Sequence, residues 1–261
     1  MRVYDKKHNR LIYIKKTATE LYWDQHWDKK DYARATMATP NSWIVKVTKK
    51  YLSQNSKILE GGCGLANHVY ALRNNGYKAT GIDYAPLTVQ KVLEAHPELD
   101  IIFGDVRKLP FGANSFDGYW SLGVIEHFWD GYKEIAVEMK RVIRPGGYLF
   151  LTFPQISSLR MKKIKKGEFI DFVERNDEPE EFYQFALDPK KVIDDFITMD
   201  FELINKESRD GLKGMKDECH HFKSSLKNLY NSQNSFVKKL ISKYGDLLNY
   251  GHICLIVFKK I

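Results

Sequence analysis

The sequence predicts an α/β fold in which helices cover both faces of a doubly wound parallel sheet. Between residues 57 and 154, short apolar segments typical of strands alternate with segments whose apolar residues recur at helical spacing. The connections are short and contain Gly or Pro, as in βαβ units. Residues 148–154 are almost continuously apolar, which is typical of a strand buried on both faces. Because crossovers between parallel strands are right-handed, the helices fall on both faces of the sheet.

The elements of this core follow from local signals. We predict strands at residues 57–62, 78–84, 100–103, 116–125 and 148–154, and helices at residues 65–76, 85–96 and 132–142. Gly76 ends the first of these helices, Pro86 lies in the first turn of the second, and Pro145 follows the third.

Beyond residue 154 the pattern is less regular. Asp188 and Pro189 predict the N-cap and first position of a helix that reaches about residue 198. Strands are expected at residues 201–208 and 252–260, the latter because of its β-branched content. Apolar residues between positions 222 and 241 recur at mostly helical spacing, so a helix is expected in the connection between these two strands.

The first 56 residues precede the core and contain a cluster of aromatic side chains. Tyr22, Trp23 and Trp27 lie at roughly helical spacing, and Thr19 with Glu20 is typical of a helix start. Two further elements are expected here: a strand at residues 10–14, and a helix to about residue 52 whose start contains Pro40, Asn41 and Ser42.

Composition excludes several classes of protein. The 261 residues are 43% hydrophobic and 13% aromatic, which is too apolar for a disordered chain. No apolar run approaches the length of a membrane-spanning helix, and the first residues lack the apolar region of a secretory leader. Three scattered cysteines do not form a disulfide framework and fit a reducing compartment. We therefore expect a cytoplasmic protein.

The chain is basic, with 41 Lys and Arg against 33 Asp and Glu and a formal net charge of +8. The excess is concentrated at residues 160–166 and 206–260, outside the core at 57–154. It is either a solvated surface, which we favour, or a field that steers an anionic acceptor or a nucleic acid.

A glycine-containing turn follows the first predicted strand. Its pattern places Glu60 at the strand end and then Gly62, Gly64 and Ala66 at alternate positions, before a helix N-terminus. Glycines let the backbone approach a ligand closely. A dinucleotide fingerprint is a poor match because Asn67 occupies the third small position. An acidic strand end suits a ligand with a cationic amine or sulfonium, and a purely structural turn is the remaining alternative.

Carboxylates also end the next two strands. Asp83 lies 19 residues after Gly64, where an acidic residue accepts hydrogen bonds from ribose hydroxyls in doubly wound sheets. Asp105 follows the third strand and could accept a hydrogen bond from an adenine amine, although polar residues are also ordinary at strand ends. Since parallel strands end at one edge of a sheet, Glu60, Asp83 and Asp105 together predict a site for a neutral or cationic nucleoside.

The ordered segments LEGGCGLA, GIDYA, GDVRKLPF, FDGYWSLGVIEHF and VIRPGGYLFLTFP resemble the motifs of class I S-adenosylmethionine-dependent methyltransferases, in particular the methyltransferase-11 group of small-molecule type. The resemblance covers residues 57–154. It implies a Rossmann-like fold whose doubly wound, mostly parallel sheet has seven strands in the order 3-2-1-4-5-7-6, the last one antiparallel. The implied cofactor is S-adenosylmethionine, and the implied product is S-adenosylhomocysteine.

The resemblance also implies roles for individual residues. Glu60 and the backbone from Gly62 to Gly64 would hold the methionine part, and Asp83, followed by Tyr84, would bind the ribose. Asp105 and Val106 would contact adenine. The remaining implied contacts are Ser121 near the reactive methyl group and Trp27, with Tyr22 and Trp23, over the sulfonium, where aromatic faces attract cations. Simple packing of that helix against the sheet is equally compatible. Ala66 replaces the usual Gly, and we expect only a slight shift of the turn.

Two residues after the fourth strand are candidate bases, Glu126 and His127. Methyl transfer needs mainly alignment and exclusion of water, with a base only for some acceptors. A structural role for the pair is the alternative.

No metal site is predicted, because Cys219, His220 and His221 have no second ligand cluster at zinc spacing.

We divide the chain into residues 1–56, an N-terminal arm with helices that cover the cofactor, and residues 57–261, the methyltransferase domain. Segments 155–187 and 208–251 are expected to shape the acceptor site.

The favoured function is methylation of a small molecule, anionic or aromatic. RNA or protein methylation, a non-catalytic cofactor-binding subunit and a nicotinamide oxidoreductase are less favoured alternatives. A nucleic acid partner is disfavoured because no RNA-binding module is present.

Overall fold

The computed structural model describes residues 1–28, 31–37, 42–173, 181–219 and 222–261. Its strands, in chain order, are β1 (Arg2–Asp5), β2 (Arg10–Ile14), β3 (Lys57–Gly61), β4 (Lys78–Asp83), β5 (Asp100–Phe103), β6 (Phe116–Leu122), β7 (Ile143–Pro154), β8 (Ile170–Asp171), β9 (Phe182–Ala186), β10 (Phe201–Arg209) and β11 (Ile253–Lys260). Its helices are α1 (Glu20–Trp27), α2 (Tyr32–Thr36), α3 (Trp43–Thr48), α4 (Asn67–Arg73), α5 (Pro86–Ala95), α6 (Lys133–Val142), α7 (Ser158–Lys165), α8 (Pro189–Ile197), α9 (Gly211–Glu218), α10 (Lys223–Asn231) and α11 (Ser235–Leu247).

The main sheet has seven strands in the order β10-β11-β7-β6-β3-β4-β5. Counted from β3 as the first core strand, this is the expected order 3-2-1-4-5-7-6, so the predicted fold class is confirmed. β11 is antiparallel to both of its neighbours, and the other pairings from β5 to β7 are parallel. The sheet is a packed core rather than a surface, since apolar clusters cover both of its faces.

Helix boundaries follow the capping residues. Thr19 accepts a hydrogen bond from the Tyr22 N–H at the start of α1, and Asp188 accepts one from the Lys190 N–H at the start of α8, both as predicted. Ser42 precedes α3, while Pro40 and Asn41 lie outside the described residues.

Several elements differ from the sequence prediction, among them α3, which ends at Thr48 rather than at about residue 52. β6 ends at Leu122 rather than at residue 125, because Gly123 has a φ of 71° and the chain then enters a short 3₁₀ turn at Ile125–His127. β7 begins at Ile143, five residues early, so the Pro-Gly-Gly segment belongs to the strand. Helix α2 was not predicted, and it is only five residues long.

A second sheet, in the order β8-β1-β2-β9, was not predicted apart from β2. β2 pairs antiparallel with β9, so the N-terminal arm and the segment around Phe182 form one sheet although about 170 residues separate them. Local periodicity carries no information about such long-range pairing.

The connection between β10 and β11 holds three helices, α9, α10 and α11. α9 packs against α7, α10 and α11, and α10 itself has no buried residue. Within the described part of the chain, no helix has the length and apolar character needed to cross a membrane.

Candidate active site

A cavity of about 770 Å³ opens at the carboxyl edge of the main sheet, above β3, β4 and β6. It contains most of the predicted cofactor residues. Its predicted lining residues are Trp23, Trp27, Gly62, Gly64, Asp83, Tyr84, Asp105, Val106 and His127. Such an edge is where open α/β sheets bind ligands.

The floor of the cavity is the glycine turn between β3 and α4. Gly62 has a φ of 73° and Gly64 a φ of 47°, conformations that favour glycine. A Cβ on Gly62 would lie 2.5 Å from Cγ2 of Val124, so a larger residue cannot enter without displacing the chain after β6. Ala66 has a φ of 54° at the N-cap of α4, a left-handed conformation that costs alanine more than glycine.

The Asp83 carboxylate is held rigidly at the end of β4. Oδ2 accepts a hydrogen bond from the Gly64 N–H at 2.7 Å, and Oδ1 accepts one from the Ala85 N–H at 3.0 Å. Burial raises the pKa of Asp83, and these backbone donors oppose that rise. The carboxylate therefore ties the glycine turn to β4 while its remaining lone pairs face the cavity.

Asp105 lies on the opposite wall and is paired within the chain. Arg107 donates to both of its oxygens, with Nη2 to Oδ2 at 2.6 Å. Against the raising effect of burial, these bonds lower the pKa of Asp105. Val106 is buried beside it. Arg107 was missed by the sequence reasoning, although it stands two residues after the predicted carboxylate.

The aromatic residues of α1 cover the cavity. Trp27 lies 3.5 Å from the position of a Cβ on Gly64, and Trp23 packs edge-on against His127 with ring centroids 5.1 Å apart. The Tyr84 hydroxyl donates to the Ala18 carbonyl at 2.9 Å, which holds the approach to α1 against β4. Tyr22 contacts Tyr183 instead and is not in the wall.

The helix α1 is anchored at its far side by a polar contact. The Asp24 carboxylate accepts hydrogen bonds from the Thr88 N–H at 2.8 Å and from the Thr88 hydroxyl at 2.9 Å, at the start of α5. Asp24 and Thr88 are both buried, so the bonds are shielded from water. α1 is thus fixed over the glycine turn rather than loosely attached.

Glu60 and Ser121 do not line the cavity, although they lie at the ends of the strands that border it. Both are buried, and Oε2 of Glu60 and Oγ of Ser121 have no hydrogen-bond partner. Burial, together with the nearby Asp83 charge, raises the pKa of Glu60 well above its usual range. These orphaned polar atoms need a partner that the protein alone does not supply.

His127 is fixed in one orientation. Its Nδ1 donates to the Tyr183 carbonyl at 2.7 Å, which leaves Nε2 without a proton. Burial lowers the pKa of His127 to about 4, against the effect of this hydrogen bond, so the ring is neutral at pH 7. A neutral imidazole in the cavity wall is an acceptor for a proton or a hydrogen bond.

Glu126 is adjacent to His127 in the chain but lines a different cavity, of about 580 Å³. Because the two residues lie in a 3₁₀ turn, their side chains diverge. Glu126 is 2% exposed, its Oε2 has no partner, and burial raises its pKa to about 8. It is therefore a neutral carboxyl group at pH 7.

Glu126→Gln removes a group whose protonation stabilises the fold at low pH. The free energy of unfolding of this variant, minus that of the natural protein, is expected to rise between pH 5 and pH 9. A folded-state pKa above the unfolded value gives stability that is complete below pH 4.5 and lost as pH rises through about 8. Each pKa unit corresponds to about 1.4 kcal/mol, so the relative gain reaches several kcal/mol. Urea titrations at pH 5, 7 and 9 measure it, and a pH-independent difference contradicts the assignment.

Other lining residues were not anticipated, namely Phe128, Trp129, Asp130 and Glu134 in the segment that follows the 3₁₀ turn. Among the described residues no group of His, Cys, Asp or Glu has a geometry that could hold a metal ion. His220 and His221 lie outside the described residues.

Comparisons with known proteins identify the kind of domain. Residues 59–151 match a family model described as a methyltransferase domain. A phthiotriol/phenolphthiotriol dimycocerosates methyltransferase of Mycobacterium ulcerans is 32% identical over 37% of this chain and 36% of its own length. A demethylmenaquinone methyltransferase of Lysinibacillus sphaericus is 30% identical over 35% and 42%. The chain thus spans less than half the length of these curated relatives.

Solved structures share the fold at low identity. A SAM-dependent methyltransferase of Methanosarcina mazei has a TM-score of 0.56 and 18% identity, covering 82% of this chain and 97% of its own. The [4+2]-cyclase SpnF has a TM-score of 0.57 and 14% identity, with coverages of 95% and 98%. At this identity the likeness shows the fold alone.

Sheet order, glycine turn and family match together define residues 59–151 as a methyltransferase domain of class I, the class whose cofactor is S-adenosylmethionine. The predicted family and cofactor class are confirmed.

Proposed function

We propose that the chain transfers a methyl group from S-adenosylmethionine to a small-molecule acceptor by in-line displacement, with S-adenosylhomocysteine as product. The observation that carries the proposal is the 770 Å³ cavity, in which the glycine turn, two strand-end carboxylates and two tryptophans surround one space. Asp83, Asp105, Asp130 and Glu134 make its wall rich in carboxylates, against Arg107 and Lys133. That balance suits a cationic nucleoside better than a phosphate-rich one.

The residues present fit the cofactor. Asp83 would hold the ribose hydroxyls, with Tyr84 beside it, and Asp105 and Val106 would contact the adenine. The orphaned Glu60 carboxyl below the glycine turn would become charged opposite the methionine amine, since a cation nearby favours the ionised form. Ser121 pairs in register with Gly61 at the end of β6 and would lie near the reactive methyl group.

When bound, the cofactor supplies an already activated methyl group. The chain's own residues then have to orient the two reactants and exclude water. Trp23 and Trp27 line the site, where their rings would lie near the sulfonium. His127, neutral and with Nε2 free of a proton, is the proposed proton acceptor where the acceptor group needs one. Unchanged turnover in a His127→Ala variant would remove it from the mechanism.

We also propose a division of roles along the chain. Residues 1–56 cover the cofactor, and residues 57–261 form the catalytic domain. Segments 155–187 and 208–251 contribute Tyr183, Gln184 and Lys213 to the second cavity, beside Glu126, which supports their assignment to the acceptor side. Curated relatives named as phthiotriol/phenolphthiotriol dimycocerosates and demethylmenaquinone methyltransferases support a small-molecule acceptor.

Isothermal titration calorimetry tests the cofactor assignment directly. We expect S-adenosylmethionine and S-adenosylhomocysteine to bind with micromolar affinity and NADH not to bind, because the carboxylate wall repels a pyrophosphate. Mass spectrometry with a labelled methyl donor then identifies the acceptor. Absence of heat with both sulfur nucleosides, in a protein with a cooperative thermal transition, would overturn the proposed function.

A further inference from the structure

The second cavity, of about 580 Å³, adjoins the cofactor cavity. It lies past the carboxyl ends of β6 and β7 and beside the start of β11, and Gly123 forms part of the wall of both cavities. Glu126 and His127 extend to either side of the turn that separates them. A molecule in the second cavity would therefore lie next to the position proposed for the reactive methyl group.

The ionisable groups of this cavity are mostly cationic. Arg2, Lys15 and Lys213 line it, and Glu126 is its one carboxyl group among the described lining residues. Burial raises the pKa of Glu126 to about 8, so this group does not neutralise the cations at pH 7. Arg2 is already paired with Glu218 at 2.5 Å, and the Met1 ammonium group donates to the Ile14 carbonyl at 2.8 Å. Lys15 and Lys213 are the remaining cations among the described lining residues.

The wall also contains a neutral group that can donate a hydrogen bond, the imidazole of His252. Nδ1 of His252 accepts a hydrogen bond from Arg160 Nη2 at 2.9 Å, so its remaining ring proton is on Nε2. Burial and the nearby Arg160 charge lower the pKa of His252 to about 2, which keeps the ring neutral.

Two polar groups of the wall are able to donate a proton. Oε2 of Glu126 is buried and has no hydrogen-bond partner. The Tyr13 hydroxyl is buried beside the Arg2 guanidinium, which is a donor only, so the phenol keeps its own proton. A protonated carboxyl group and a phenol each have a proton to donate, so a ligand with acceptor oxygens satisfies both.

Lysine placement completes the arrangement. Lys213 is half-buried on α9, where burial lowers its pKa while Asp210 and Asp217 oppose the change. Lys15 lies over the Tyr183 ring with its Nζ 5.5 Å from the centroid. The two cations come from the N-terminal arm and from the connection between β10 and β11, so both segments outside the core contribute to the same space.

We infer that the second cavity binds the methyl acceptor and that this acceptor is a small molecule with a carboxylate, which pairs with Lys213 and Lys15 and accepts hydrogen bonds from Tyr13 and Glu126. The inference rests on the proposed function for the identity of the ligand as acceptor. The carboxylate site itself stands on the geometry of the cavity.

Saturation-transfer NMR with benzoate and its uncharged isostere benzamide tests the inference. We expect benzoate to bind at least 10-fold more tightly than benzamide, and Lys213→Met to weaken benzoate at least 10-fold. The matched control is Lys216→Met, on the same helix but outside the cavity wall, with an affinity for benzoate within twofold of the natural protein. Lys15→Met serves as a second variant if Lys213→Met lowers the thermal midpoint.

Equal binding of the two probes, no binding of benzoate, or equal losses in Lys213→Met and Lys216→Met would each overturn the carboxylate site. S-adenosylhomocysteine affinity, measured on the same samples, separates the two proposals. Loss of benzoate with normal nucleoside binding refutes only the carboxylate site, whereas benzoate binding without nucleoside binding refutes the proposed function and leaves an anion site.

Discussion

Asp83→Ala is expected to weaken S-adenosylhomocysteine binding at least 100-fold. The carboxylate faces the cavity and also accepts hydrogen bonds from the Gly64 and Ala85 N–H groups. Hydrogen bonds to a charged group contribute about 1.5–3 kcal/mol each, and two ribose hydroxyls would be lost together. Since about 1.4 kcal/mol is a tenfold change in affinity, the loss exceeds two orders of magnitude. Calorimetric titration at constant salt measures it.

Asp105→Ala is the matched control for that experiment, because it removes the same charge from the opposite wall. Its carboxylate is partly exposed and shared with Arg107, so we expect a loss of less than 10-fold. Asp83→Asn retains one acceptor oxygen and should fall between the two. Similar losses in Asp83→Ala and Asp105→Ala would indicate that only the overall charge of the cavity matters, contrary to the ribose assignment.

Arg160→Ala is expected to lower the free energy of unfolding by about 3–5 kcal/mol. Arg160 is 1% exposed, and its Nε donates to Glu218 at 2.9 Å while Nη1 donates to the Gln155 carbonyl at 2.7 Å. The network joins α7, α9 and the start of β11, so its loss leaves buried carboxylate and carbonyl groups unsatisfied. A chain of this size shifts by about 2–4 °C per kcal/mol, which predicts a fall in Tm on the order of 10 °C.

The control for this prediction is Lys191→Ala, which removes an exposed i,i+4 pair with Asp195 and should change stability by less than about 0.5 kcal/mol.

Against the raising effect of burial, the charges of Arg160 and Arg2 lower the pKa of Glu218. Stability from such a group is present above the ordinary Glu pKa and is lost as pH falls through the lowered value. The difference between the natural protein and Arg160→Ala should therefore shrink in acid, and a Tm change below 2 °C at pH 7 contradicts the role of the network.

The sequence alone determined the cofactor edge of this protein. Parallel strands end at one edge, so the residues just after each strand had to meet there whatever the rest of the chain does. Gly62, Gly64, Asp83 and Asp105 all line the cavity for that reason, whereas the position of Trp27 was implied only by the family resemblance. Cap residues such as Thr19 and Asp188 fixed helix starts because their hydrogen bonds are local.

The tertiary structure decided where side chains point at the turns. Glu60 and Ser121 occupy strand ends as predicted, yet neither lines the cavity. Glu60 pairs with Trp120 and Ser121 with Gly61, so the pleat directs the two side chains to opposite faces of the sheet. Glu126 and His127 were treated as one pair of candidate bases, and they line different cavities because a 3₁₀ turn follows β6.

The positions of the basic residues in the chain were known from the sequence, but their arrangement in space was decided by the fold. The sequence located the excess of Lys and Arg outside the core but gave it no partner. Pairing of β2 with β9 and packing of α9 against α7 bring Lys15 and Lys213 into one cavity, although nearly 200 residues separate them in the chain. Long-range pairing of this kind depends on the burial of complementary surfaces, which local periodicity does not encode, so only the folded chain places these two cations beside a neutral carboxyl group.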